Sequence, residues 1–186
     1  MSDLYTQFDQ WQRTHTCQWK TADLLWVLDS AQRPSVYLEI GSWQGGSLRA
    51  MASRCKAGAC LVSVDRPYRP ENLPILNESI KWLRGQGFET HQVTGDSTAE
   101  DTRTAVQKLL AGRAVELLLI DGGHEYETVR QDWDAWSPFV SDGGGAIVLH
   151  DVRAFPGPAR LFCELLQDGY RANYRMDEHG VGVLWK

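Results

Sequence analysis

The sequence predicts an α/β fold, a mostly parallel sheet with helices on both faces, and three observations predict it. Five short apolar runs alternate with segments of helical periodicity across residues 36–167. The first run ends in Gly41-Ser42-Trp43-Gln44-Gly45-Gly46-Ser47, where glycines and a small polar residue mark a strand turning tightly into a helix. A polar residue suited to chemistry stands at the end of every run: Glu39 and Gly41, then Asp65, Asp96, Asp121, and finally His150 with Asp151. In an open α/β sheet the carboxyl ends of parallel strands share one edge, so these residues are expected to converge on one crevice.

The elements follow in order. Residues 4–31 read as helical, with Leu24, Leu25 and Leu28 on one face and Thr21 as an N-cap. Trp11, Trp19 and Trp26 would pack this segment on the domain or cover part of a site. Pro34 closes it, and strand one begins at Val36. A helix over 47–55 leads to strand two, 59–64, ending at Asp65. The loop carrying Pro67, Pro70 and Pro74 precedes a helix from about Ile75 to Arg84, stopped by Gly85 and Gly87. Strand three covers 90–94 before Gly95-Asp96-Ser97, and 99–111 is helical. Strand four, 115–120, is apolar enough for burial on both faces. Tyr126, Val129, Trp133 and Trp136 keep helical spacing. Strand five, 144–149, precedes His150-Asp151; a loop at Pro156-Gly157-Pro158 then leads to a helix ending at Gln167. The tail, 171–176 and 181–185 around His179-Gly180, reads as an antiparallel hairpin. That makes seven strands in one domain, with 1–33 as an N-terminal helical cap and 34–186 as the cofactor-binding core.

The totals narrow the function. The chain of 186 residues can bury a real core, and its net charge of -5, with scattered basic residues, argues against a nucleic-acid surface. The apolar runs are too short to span a membrane. Cys17, Cys55, Cys60 and Cys163 have no metal-binding or disulfide-rich spacing, and the first residues lack a secretory pattern. Both point to the cytoplasm.

The glycine turn offers close backbone approach and a helix N-terminus to a polar small molecule. Asp65, at the end of strand two, suits a ribose diol, although capping the turn is its simpler use. A nicotinamide dinucleotide would want Gly-x-Gly-x-x-Gly; Trp43 occupies the second glycine position and would block a pyrophosphate. The pattern favours a nucleoside with a small polar tail.

Glu39 to Ser47 resembles the first motif of class I S-adenosylmethionine-dependent methyltransferases, and is closest to their metal-dependent O-methyltransferase branch, which includes catechol and macrolide-sugar O-methyltransferases. Asp65, Gly95-Asp96-Ser97, Asp121-Gly122-Gly123-His124-Glu125-Tyr126 and His150-Asp151-Val152 fall where that branch has its later motifs. The resemblance covers 34–186 and implies a Rossmann-like, doubly wound sheet. It implies that Gly41, Gly45 and Ser47 seat the methionine end of S-adenosylmethionine, with Glu39 shaping the turn. Asp65 would hold the ribose. Asp96, by side chain or backbone, and Ser97 would border the adenine.

By the same resemblance Asp121 and Asp151 would bind a divalent cation, magnesium or manganese, and His124 would be the catalytic base. The family has a carboxylate where this chain has His150. Magnesium prefers oxygen ligands and imidazole suits softer ions, so three fates stay open for His150: ligating such a metal, turning away, or contacting the acceptor. The expected reaction is O-methylation of a small hydroxylated acceptor. The acceptor pocket would draw on the N-terminal helix, Tyr68 and Phe155, with a homodimer as one way to complete it. Two other functions compete: a non-catalytic S-adenosylmethionine-binding subunit, and a metal hydrolase built on Asp121, His124, His150 and Asp151.

Overall fold

A computed structural model describes residues 3–15, 26–27, 33–66 and 69–186. Thr21, Trp19, Leu24, Leu25, Leu28 and Tyr68 lie outside the described residues. Of the long N-terminal helix expected, the described part is α1 (Leu4–Gln12), whose N-cap Asp3 accepts the Thr6 N–H at 2.8 Å. Trp11 of α1 and Trp82 lie against the Arg49 guanidinium, 4.9 and 4.4 Å from their ring centres, which ties α1 to the domain.

The sheet has seven strands: β1 (Val36–Ile40), β2 (Cys60–Asp65), β3 (Glu89–Thr94), β4 (Leu117–Ile120), β5 (Ala146–His150), β6 (Arg171–Arg175) and β7 (Val181–Trp185). Their order is β3-β2-β1-β4-β5-β7-β6, parallel through β5 and antiparallel in the last pairs. Between them run α2 (Gly46–Ala52), α3 (Asn72–Gly85), α4 (Glu100–Leu110), α5 (Tyr126–Trp136) and α6 (Pro156–Gln167). Every residue of β1, β2, β4 and β5 is buried, as runs apolar on both sides require. One face of the sheet carries Tyr37, Leu61, Leu117 and Val148 against α2 and α3; the other carries Leu38, Val62, Leu118 and Ile147 against α4, α5 and α6.

The strand order reverses direction between β1 and β4, and this switch point positions the site. Ile40 pairs with Ile120 in register, so the turn after β1 and the residues after β4 leave the sheet side by side. Two boundaries differ from expectation for one reason. Both α3 and α6 begin earlier than the prolines suggested, at Asn72 and Pro156. Pro74, Pro156 and Pro158 sit in first helical turns, where the missing N–H has no partner to lose. Among the described residues no helix is long and apolar enough to cross a membrane.

Candidate active site

The turn after β1 is a backbone structure clamped by acids. Gly41 (φ +87°) donates its N–H to Val64 O at 2.9 Å, and a Cβ on it would stand 2.2 Å from Asp121 O. Only glycine fits that crossing. Asp65 Oδ2 accepts the N–H groups of Ser42 and Trp43 at 2.6 and 2.7 Å. It therefore caps the turn, the simpler of the two uses anticipated for it. Burial raises its pKa against those two hydrogen bonds. Gly45 (φ +82°) opens α2, and its missing Cβ leaves room for Ser79, which donates to Gln44 O at 2.9 Å. Glu39 is fully buried beneath the turn. It accepts from Ser47 Oγ at 2.9 Å and from the Tyr37 hydroxyl, and burial pushes its carboxyl up to about 7.

Across the switch point the groups are charged side chains. His124 Nε2 lies 2.8 Å from Asp151 Oδ2. That hydrogen bond raises the His124 pKa above its ordinary value, with burial opposing. The His124 ring stacks on Phe155, centres 3.9 Å apart and nearly parallel. Gly157 makes this possible: a Cβ there would meet His124 O at 2.2 Å, so the start of α6 presses on the segment before α5. His150 is buried, with Nδ1 3.0 Å from Asp121 Oδ1 and 3.4 Å from Asp151 Oδ1. Burial disfavours its charge, but the two carboxylates prevail and lift it to about 10. Asp151 is held below the usual carboxylate range: the two histidines outweigh its burial.

A cavity of about 380 Å³ joins the two halves. Gly41, Asp65, Asp96, Ser97, Asp121 and His124 line it; Glu39, Gly45 and Ser47 lie behind the turn, and His150 and Asp151 lie beside the far wall. The Asp96 carboxylate is engaged locally, accepting from Thr98 N at 3.0 Å and pairing with Arg66 at 2.7 Å. Trp43, expected to stand against the ligand, lines the cavity, as do Arg66, Thr128 and Gln131, which were not anticipated as site residues. Thr128 and Gln131 are one turn apart on α5, a face visible in the sequence only once the cavity side is known. Just behind them Asp132 is fully buried, with neither carboxylate oxygen in a well-aligned hydrogen bond among the described residues. Burial lifts it to about 6, which the nearby Ser97 hydroxyl offsets only in part. An acid on the core face of α5, between Val129 and Trp136, was a signal available in the sequence.

An all-oxygen magnesium site does not fit these donors. Magnesium seeks octahedral oxygen coordination, and the His150 ring stands against both aspartates that would supply it.

A family model described as Methyltransferase domain matches residues 38–152. Solved structures share the whole architecture at low identity. A Podospora anserina methyltransferase with SAH bound superposes with a TM-score of 0.72 at 17% identity, covering 100% of this chain and 89% of that one. A Bacillus cereus O-methyltransferase in complex with SAH gives 0.69 at 14%, covering 100% and 92%. TomG, a Streptomyces achromogenes O-methyltransferase of tomaymycin synthesis in complex with SAM, gives 0.65 at 14%, covering 100% and 90%.

Proposed function

The chain belongs to the methyltransferase domain family, and from that premise we propose that it moves the methyl group of S-adenosylmethionine to a hydroxyl oxygen of a small acceptor, with His124 as the base. One observation carries the reading: a single cavity is walled on one side by Gly41 and Trp43 of the turn after β1 and on the other by His124 paired to Asp151. S-adenosylmethionine needs the first wall and an alcohol needs the second. The SAH- and SAM-bound neighbours support the choice of cofactor.

In this reading the methionine end of the cofactor sits on the turn at the start of α2. Asp65, with Oδ2 committed to the turn, offers Oδ1 to the ribose. The Gly95-Asp96-Ser97 backbone borders the adenine, since the Asp96 side chain is already engaged. Transfer is an in-line displacement: the acceptor oxygen forms a bond to the methyl carbon, the carbon–sulfur bond breaks, and the sulfonium leaves as a neutral thioether. Fixing the oxygen behind the methyl group supplies much of the rate. The hydroxyl proton passes to neutral His124, and Asp151 stabilises the imidazolium that forms. The free thiols Cys55, Cys60 and Cys163 fit a reducing compartment such as the cytoplasm.

Calorimetry with S-adenosylhomocysteine in EDTA, followed by turnover with a panel of small alcohols and phenols, tests the reading. Binding is expected for the wild type and for His124→Ala alike, with transfer in the variant lower by about 10²–10⁴-fold. No binding by folded protein would overturn the cofactor, and unchanged turnover in the variant would overturn the base.

A further inference from the structure

The amino ends of β2 and β3, at the far end of these strands from the cavity, bring together three side chains that methyl transfer does not use. Cys60 and Glu89 are the first residues of their strands and pair in register, and His91 follows two residues after Glu89. Side chains alternate along a strand, so all three stand on the face of the sheet that packs against α4. A ligand atom from each (the Cys60 thiol, the Glu89 carboxylate and the His91 ring) lies within 4.8 Å of the other two. His91 Nε2 is 2.9 Å from Glu89 Oε1. Cys60 is a buried free thiol, while the side chains of Glu89 and His91 reach solvent. Arg113, just past α4, sets the carboxylate. Its guanidinium donates to both Glu89 oxygens, at 2.7 and 2.8 Å, and is anchored on the carbonyls of Leu109 and Leu110. Arg113 and His91 pull the Glu89 carboxyl down to about 2. Burial pushes the Cys60 thiol up to about 11, with the Arg113 charge opposing.

We propose that Cys60, Glu89 and His91 form a zinc site that clips β3 to β2, with water in the fourth position. A thiolate, an imidazole and a carboxylate together suit zinc and not magnesium. Two ligand atoms ~2.0–2.1 Å from a tetrahedral ion stand roughly 3.3 Å apart, close to the spacing of His91 Nε2 and Glu89 Oε1. The Arg113 fork fits an outer shell, since ligating carboxylates are themselves hydrogen-bonded, and each carboxylate oxygen keeps a second lone pair for the ion. The ion binds the thiolate, so the thiol proton leaves to solvent as zinc arrives, and the His91 ring keeps its proton on Nδ1. The partly exposed Glu89 and His91 give zinc a way in. β3 stands at the margin of the strand order, where a cross-strand clip has most to hold. No cysteine spacing in the sequence marks the site, because its members meet only through the β2–β3 register. The cavity begins beyond Asp65, roughly 16 Å away along β2.

The test uses the full chain, stripped with EDTA and titrated with cobalt(II), then with zinc. Cobalt on a thiolate gives a near-ultraviolet charge-transfer band that oxygen and nitrogen ligands do not. The band therefore counts ions at a cysteine and ignores any held by the aspartates and histidines after β4 and β5. One thiolate-bound cobalt per chain is expected, displaced by zinc. Cys60→Ser should remove the band. His91→Ala should weaken the affinity read from the band by more than about tenfold, at least the loss that follows removal of an outer-shell partner. Its melting temperature in EDTA and its S-adenosylhomocysteine affinity should match the wild type. Zinc should raise the melting temperature of the wild type more than that of His91→Ala. No band from folded wild type, a band that survives Cys60→Ser, an unchanged affinity in His91→Ala, or an equal zinc response in the two would overturn the proposal. If Cys60→Ser does not fold, His91→Ala decides alone. S-adenosylhomocysteine binding is read on the same samples, and its absence would sink the methyl-transfer reading while leaving the zinc site standing.

Discussion

The two walls of the cavity are built by different means. The wall after β1 and β2 is made of backbone: glycines at positive φ, N–H groups turned onto Asp65, and a buried Glu39 whose carboxyl oxygens accept from Tyr37 and Ser47. The wall after β4 and β5 is made of ionisable side chains, two histidines and two aspartates in mutual contact. The first wall should fail through sterics, with loss of the fold or of the cofactor. The second should fail through charge, with loss of turnover from a protein that still folds and binds. That division can be broken by experiment.

The largest effect is expected at Gly41. Gly41→Ala would place a methyl group 2.2 Å from Asp121 O while holding alanine at φ +87°. Both are backbone faults, and neither can relax into a flexible side chain. Overpacking and a left-handed alanine together should cost on the order of 3–5 kcal/mol, read as a fall in the urea midpoint. A variant of wild-type stability would show that β1 and β4 part easily and that the wall is not rigid.

Charge governs the next effect. The proposed transfer needs neutral His124, and Asp151 holds its pKa above the ordinary histidine value of about 6.5. Activity should therefore rise with pH through that raised value and fall about tenfold per unit below it. S-adenosylhomocysteine affinity, which in the proposed reading depends on the other wall, should not follow this profile; the group that would move it is Glu39, whose carboxyl is pushed up to about 7 beneath that turn. A turnover profile already level at pH 6 would remove His124 from the rate-limiting proton transfer. Asp65→Ala should do the reverse: it leaves the N–H groups of Ser42 and Trp43 without their acceptor. About 1–3 kcal/mol of stability and roughly tenfold or more in cofactor affinity are expected to go. Unaltered affinity would confine Asp65 to holding the turn.

The same division explains what the sequence disclosed. The backbone wall was legible because glycine spacing and an acid at a strand end are local signals. Gly41, Gly45 and Asp65 all fall within or next to one strand–turn–helix unit or its neighbour, and five parallel strands could be counted from apolar runs alone. Asp121, His124, His150 and Asp151 were legible one at a time from their places after β4 and β5. Their pairing was not, because it depends on a register of strands and on the pressure of Gly157 against His124 O. The approach of His179 to His150, ring centres 5.8 Å apart, carried no signal, since it comes about only through a hairpin fastened to residues 152–154. The prolines misled in the opposite direction. Pro74, Pro156 and Pro158 read as loop residues, yet each occupies a first helical turn, where a proline loses nothing.

The smallest expected effect is the control that gives the largest one its meaning. Gly58 shares the positive φ of Gly41, at +74°, but a Cβ on it would meet nothing within 4 Å. Gly58→Ala therefore isolates the conformational part of the Gly41 result. Left-handed alanine costs about 1 kcal/mol, less whatever the replacement removes from the entropy of the unfolded chain. Stability should change by no more than that amount, with cofactor affinity and turnover untouched. If Gly58→Ala and Gly41→Ala weaken the protein equally, positive φ alone accounts for the glycine after β1, and the close crossing onto Asp121 contributes nothing. If they differ by the several kcal/mol expected, the rigidity of the cofactor wall comes from that crossing. The glycine is then required by the neighbouring strand as much as by any ligand, because the switch point brings the two chain segments into contact before a cofactor arrives.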